Sequence, residues 1–505
     1  VSSGANAPGP RGTEAARGSP HPPGSEDGVP TRYVAGVPVY NTPPRGRPSS
    51  LKLLQEELLQ WVLFLRGKVH DEEVRSMCAA GGALGGSGCL FSGNPSLGGV
   101  AFVTVRLTEE QLDALLTAHA DLFEFAELDS LVSAVPDAPE STAQQLQRKP
   151  ASWGLDRIDA RHGLDRSYTS PADGGSGVHV YVLDTGVRTT HVDFGGRAIP
   201  TLELDDESLR ECEPHDASCA ADGNGHGTHV AAIIAGKKYG VAKGATIHAV
   251  KVLSDSGSGS WSQVIAAMDW VASKGQRPAI ISASLGSQGV RPMITRAVEA
   301  AVAAGVVVVV AAGNENISAC LETPAMVKAA ITVGATDEFD DRGWYSNFGS
   351  CVDIFAPGSD ITSASNENNT AERTRTGTSM AAPFVAGAAA LLLQASPAMK
   401  PSEVEAELRR RATRASVFDA MDGSPNLLLY TGPLASTPSP ADYCDCKWLF
   451  EDNCQQQDSC AQKCRAANPL GPCGDGLSYD VKARSGCQVT YYAKLVASSH
   501  LSIVK

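Results

Sequence analysis

Residues 377–393 read GTSMAAPFVAGAAALLL. From Pro383 onward the stretch has the character of a helix buried on every side, with no charged residue up to Leu393. Ser379 stands at the start of that helix behind Gly377 and Thr378. There, unpaired N–H groups and the helix dipole favour negative charge developing on an attacked carbonyl oxygen. Ser379 is therefore a candidate nucleophile. Taken alone, a Gly-Thr-Ser at a helix start is commonly an N-cap. The reading depends on whether a base, an orienting carboxylate and an oxyanion donor stand elsewhere in suitable settings.

Three other stretches supply them. VHVYVLDTGV (178–187) alternates as a strand and stops at Asp184, where a carboxylate can be buried yet held by loop N–H groups. In DGNGHGTHVAAIIAG (222–236), glycines surround His226 at the start of a small-residue helix, so its ring is expected to face a cleft. His229, one turn on, is assigned to packing; no glutamate separates the two histidines in the manner of HExxH zinc peptidases. GVVVVVAAGNEN (305–316) is an apolar strand that breaks at Asn314, whose amide can donate to an oxyanion without carrying charge. Each feature has an ordinary structural explanation by itself. Their joint occurrence in the order Asp, His, Asn, Ser does not.

With these motifs in view, the stretch 153–432 resembles the subtilisin family of serine proteases, and within it the proteinase K branch. VLDTGV, GHGTHVA, SLG at 284–286, AAGN, YSNFGSCVDIFAPG (345–358) and GTSMAAP carry the resemblance. It implies Asp184 as orienter, His226 as general base and acid, Ser379 as nucleophile and Asn314 as oxyanion donor. It further implies substrate contacts along Ser284, Leu285 and Gly286, whose backbone would pair with an extended peptide, and along Ala311, Ala312 and Gly313. Phe384 departs from the family, which usually has a histidine after the proline; that position is not catalytic there, and local repacking is expected. No cofactor is implied for catalysis. A structural calcium is, at Asp337 in GATDEFD (334–340), with the carbonyls of Pro324 and Met326 as further ligands. No acidic cluster stands out at 284–287 or 311–314, and the expected S1 pocket is broad and apolar-leaning.

Fold class follows as α/β, a mainly parallel sheet covered by helices on both faces. Strands are expected at VHVYVLD, TIHAVKVL, AIISASLG, GVVVVVAAG and AAITVGAT, and helices near 226–236, 260–274, 291–304 and 379–394. Residues 1–50, rich in Pro, Gly and Ser, read as disordered. Residues 51–135 read as a small α+β unit: a helix in LLQEELLQ, strands in QWVLFLRGKV, VAFVTVRL and FEFAELDSLVSA, and a helix in TEEQLDALLTAHADLF with a capping box at Thr108 and Gln111. Its position resembles the family's inhibitory propeptide, which helps the protease fold and places its C-terminal tail in the active site. Residues 136–152 form a polar linker in which self-cleavage is expected; Arg148 and Lys149 offer a basic site there. A second linker (433–442) leads to a cysteine-rich module (443–505), where disulfides fit better than zinc and truncation is conceivable.

Composition narrows the setting. The chain has 505 residues, 42% hydrophobic and 19% charged, which is globular composition with material for more than one domain. A net charge of −14 argues against nucleic acid or anionic membrane as partner, and no apolar run suggests a membrane span. The expected partners are protein or peptide substrates and the chain's own propeptide as intramolecular inhibitor. Thirteen cysteines, seven of them in the last 62 residues, suit an oxidising compartment and hence a secreted protein; the sequence from Val1 shows no positive n-region followed by an apolar core. Cys212 and Cys219 could staple an acidic insertion, and Cys320 and Cys351 could brace the oxyanion side; the odd total leaves one thiol over. Two functions suit these features: a secreted endopeptidase made as a self-processing zymogen, or a self-cleaving binding protein that keeps its propeptide.

Overall fold

The computed structural model describes residues 28–42, 58–79, 88–139, 152–169 and 173–433, with the backbone of two short strands at Val481–Lys482 and Thr490–Tyr491. The Gly-rich run after Cys78, Arg148 and Lys149, and nearly all of the cysteine-rich module lie outside the described residues.

A ten-stranded sheet forms the larger unit. Its spatial order is 209–211, 198–204, 246–251, 179–184, 279–283, 307–311, 331–336, 354–357, 427–428 and 413–414. The two edge strands pair antiparallel and the rest run parallel. The central strands His179–Asp184, Ala279–Ala283 and Val307–Ala311 are almost wholly buried and rich in Val and Ile, as a sheet covered on both faces requires. Helices His226–Ala235 and Thr378–Ala395 pack on one face, and Trp261–Lys274 and Pro292–Ala303 on the other. Helix 378–395 is long and apolar enough to cross a membrane, but 83% of it is buried inside the protein. Its apolar character serves the core.

The smaller unit is a six-stranded sheet with helices Asp71–Cys78 and Glu109–Ala118. Thr108 caps the second helix by accepting from Gln111 N, and Gln111 returns a side-chain oxygen to Thr108 N. Three expectations need correcting. Residues 28–42, read as disordered, form a hairpin (Arg32–Val34 and Val37–Tyr40) that joins this sheet through Val39 opposite Ala126. Its alternating Val37 and Val39 are fully buried, a two-residue signal too short to register against the Pro/Gly background. The end of LLQEELLQ is already strand at Leu59. Finally, FEFAELDSLVSA is two strands: Phe123–Leu128 stays in the sheet, while Leu131–Ala134 leaves it and joins the other unit.

Three carboxylates, Glu127 and Asp269 buried and Asp129 partly so, weld the two units. Glu127 accepts from Met293 N at 2.9 Å, at the start of helix 292–303. Asp129 accepts from Ser262 N at 3.2 Å, at the start of helix 261–274. In the other direction, Asp269 of the large unit accepts from Asn94 N at 3.0 Å and Val100 N at 2.6 Å. Carboxylates at helix starts satisfy orphan N–H groups and meet the dipole.

Disulfides join Cys78 to Cys89, Cys212 to Cys219 and Cys320 to Cys351. The remaining seven cysteines lie outside the described residues.

Candidate active site

Asp184 ends its strand fully buried, and His226 opens its helix with 3% exposure. The two meet: His226 Nδ1 lies 2.8 Å and 2.9 Å from the Asp184 carboxylate oxygens, so Nδ1 carries the hydrogen and Nε2 offers its lone pair. Burial pulls the imidazole down, but the charge and hydrogen bond of Asp184 outweigh it and leave His226 above its ordinary value. Local packing makes the approach possible. A side chain at Gly227 would fall 2.1 Å from Gly186 O and 3.1 Å from Asp184 Cβ. Asp222 holds the loop before the helix by accepting from Gly225 N at 2.7 Å, Thr228 N at 2.9 Å and Thr185 Oγ1 at 2.9 Å. His229 is buried with Nε2 at 3.1 Å from Ile361 O and 3.0 Å from Arg373 O, and burial pushes it down to about 3. It is a packing histidine.

Ser379 and Asn314 are joined through Thr378. The Asn314 Oδ1 accepts from Thr378 N at 2.9 Å and Thr378 Oγ1 at 2.8 Å, which fixes the amide so that Nδ2 faces the cleft. Gly377 leaves room for it: a Cβ there would fall 2.7 Å from Nδ2. Asn347 braces the same loop through Ala312 O, Glu315 N and Ile317 N. Pro383 lies inside helix 378–395, so Ser379 O lacks the N–H that would normally arrive from four residues on. Ser284 Oγ supplies the missing donor at 3.1 Å, tying the expected substrate-binding edge to the serine.

The cleft is filled by the chain itself. Leu131–Ala134 lies antiparallel between Ser258–Ser260 and Leu285–Gln288, with Ala134 opposite Leu285 and Ser133 opposite Gly286. Val135 N donates to Ser284 O at 3.1 Å, and Ala138 N to Thr376 O at 2.8 Å. Between them Asn314 Nδ2 donates to Pro136 O at 2.7 Å, while Ser379 Oγ turns to Val135 O at 3.4 Å. Consequently Ser379 and His226 are not hydrogen-bonded to one another: His226 Nε2 is buried with no partner. Arg375, four residues before Ser379, pairs with Asp137 at 2.5 Å. Asp222, Asn347 and Thr378 lie inside motifs quoted from the sequence, but their hydrogen-bonding partners could not be read there, and Arg375 was not singled out because its partner Asp137 is distant in the chain.

Asp337 is a turn carboxylate whose Oδ1 accepts from Phe339 N and Asp341 N. The Pro324 carbonyl accepts from Val327 N. Among the described residues no group of three or more His, Cys, Asp or Glu is placed to hold a metal.

A buried Asp–His pair and a serine at a helix start, on a mainly parallel sheet covered by helices, define the class of subtilisin-like serine endopeptidases. The chain belongs to the subtilase family, which it matches over residues 175–428. It is 51% identical over 285 residues to an extracellular serine proteinase of Thermus sp. (strain Rt41A), covering 56% of this chain and 67% of that protein. Alkaline serine exoprotease A of Vibrio alginolyticus is 43% identical over 392 residues, covering 77% and 65%. Cerevisin of Saccharomyces cerevisiae is 40% identical over 353 residues, covering 64% and 52%. The chain thus spans about two thirds or less of the length of these relatives. The crystal structure of a cold-adapted subtilisin-like serine proteinase is similar, with TM-score 0.52 and 45% identity, covering 56% of this chain and 98% of that one.

Proposed function

We propose that the protein is a secreted serine endopeptidase made as a self-processing zymogen, with residues 51–135 as its inhibitory propeptide and self-cleavage within 136–152. The observation that supports this best is the strand Leu131–Ala134, docked like an extended peptide and leading Val135 and Pro136 to Ser379 and Asn314. The 28–42 hairpin extends that propeptide towards the N-terminus. Secretion is supported by the three disulfides and by the extracellular serine proteinase among the relatives.

In this reading His226 Nε2 takes the proton of Ser379 Oγ as that oxygen attacks a peptide carbonyl. Asp184 holds the Nδ1–H tautomer and stabilises the imidazolium that forms. The carbonyl oxygen becomes negative beside Asn314 Nδ2 and the dipole of helix 378–395. The tetrahedral species collapses as His226 returns the proton to the leaving amine, and water then hydrolyses the acyl-enzyme by the same route. No step calls on a metal or cofactor. A fluorophosphonate probe tests the reading: it should label the processed chain at Ser379 and spare Ser379→Ala. Wild type that takes up no label after propeptide removal would overturn it.

The second reading, a self-cleaving binding protein that retains its propeptide, is supported by the buried contacts of Glu127, Asp129 and Asp269 between the units. Persistent co-purification of the 51–135 fragment at working pH, without turnover of any peptide, would favour it. A structural calcium at Asp337 is tested separately by melting the protein with and without a chelator; an unchanged midpoint removes it from the proposal.

A further inference from the structure

Glu322 is a carboxylate the mechanism does not use. It is 94% buried by its 6% exposure, and its Oε1 has no hydrogen-bond partner. An ionised carboxylate whose Oε1 is left in that condition is costly. Such a group calls for a cation.

Strand register places it. Directly opposed residues of an antiparallel sheet share a face, and every second residue along a strand shares it too. Glu322 stands opposite Gln288, and Gly286 stands opposite Ser133. Ser133, Gly286, Gln288 and Glu322 are therefore on one face. Val135 belongs to that face as well, two residues beyond Ser133 and bonded to Ser284 O. A Cβ built on Gly286 would meet Thr323 O at 3.0 Å and Glu322 Oε2 at 3.9 Å, which places the carboxylate beside the strand that pairs with the docked segment. Across the pocket a Cβ on Gly313, beside Asn314, would meet Glu315 Oε2 at 2.7 Å. Glu315, whose Oε2 accepts from Asn347 Nδ2 at 2.8 Å, is near enough for its charge to act on Glu322, and valine at 135 is too short and apolar to pair with Glu322.

We propose that Glu322, backed by Glu315, makes this pocket a receptor for the ammonium or guanidinium of a Lys or Arg residue just before the cleaved bond. The inference rests on the peptidase reading and replaces the apolar-leaning pocket expected from the sequence. In the docked segment Val135 stands on this face and offers Glu322 no positive charge.

Peptides differing only in Arg, Lys, Leu or Phe before the cleaved bond, given to the processed enzyme, provide the test. Wild type should favour Arg or Lys over Leu by roughly tenfold or more in kcat/KM, and Glu322→Gln should reduce that ratio by roughly 30-fold, as for loss of one partner of a buried charge pair. Benzamidine, a small amidinium, should compete in wild type and lose potency in the variant. A wild-type preference for Leu or Phe, or a ratio that Glu322→Gln does not change, overturns the inference while leaving the peptidase reading intact. Should the variant not fold, the wild-type ratio and benzamidine competition decide alone. Failure to cleave any peptide, together with no fluorophosphonate labelling, overturns both.

Discussion

Asn314 shows how one side chain acquires direction. Thr378 occupies its oxygen from two sides, which leaves only the NH2 group to face the cleft. Replacing Asn314 with Ala should therefore lower kcat by about 10²–10³-fold with little change in KM, measured on a short peptide. His226 yields a pH prediction. In the proposed mechanism its neutral form is the base, and its pKa stands above the ordinary value because Asp184 prevails over burial. Activity should be absent at acid pH and rise with pH, with a midpoint above the usual imidazole value of about 6.5; a pH–rate profile of kcat/KM checks the sign. Asp184, His226, Asn314 and Ser379 could be singled out from sequence because each stands where a strongly patterned strand or helix begins or breaks. Glu322 could not, since its pocket is assembled from strands whose pairing only the fold reveals.

At the scale of elements, helix 378–395 carries a proline where its first turns need a donor, and Ser284 fills the gap. Ser284→Ala should destabilise the processed enzyme by about 1–2 kcal/mol through an unsatisfied buried carbonyl. Adding Pro383→Ala should recover part of that loss, because the restored N–H can reach Ser379 O; thermal melts of the single and double variants provide the comparison. The long parallel strands and their helices were readable from apolar runs and periodicity. The segment Leu131–Ala134 was not separable from the strand before it, because alternation looks the same whether a strand pairs within its own sheet or with another.

For the whole molecule, the junction between the units is electrostatically unusual. Burial pushes Glu127 up to about 8, outweighing its bonds to Met293 N and Asn41 and the nearby Arg291, and burial raises Asp129 and Asp269 as well. A carboxylate whose pKa rises on docking takes up a proton, so association is favoured at low pH. It weakens as pH climbs from the usual carboxylate value of about 4.3 towards 8. With Ser379→Ala, size-exclusion of the nicked chain should show the units together near pH 6 and dissociating more readily near pH 9. The same rise in pH frees His226 Nε2 of its proton, so release and turnover would advance together. The two-unit plan was visible in composition and motif order; the hairpin 28–42 was not, because two buried valines cannot outvote a Pro/Gly-rich neighbourhood. The bridge between Cys78 and Cys89 adds a consequence for disposal of the smaller unit. A single nick between those cysteines would leave two fragments travelling as one band on a non-reducing gel, parting only when a thiol is added. Proteolysis in that interval would therefore mark the smaller unit without dismantling it, and its clearance would need a second cut outside the loop or a reducing step.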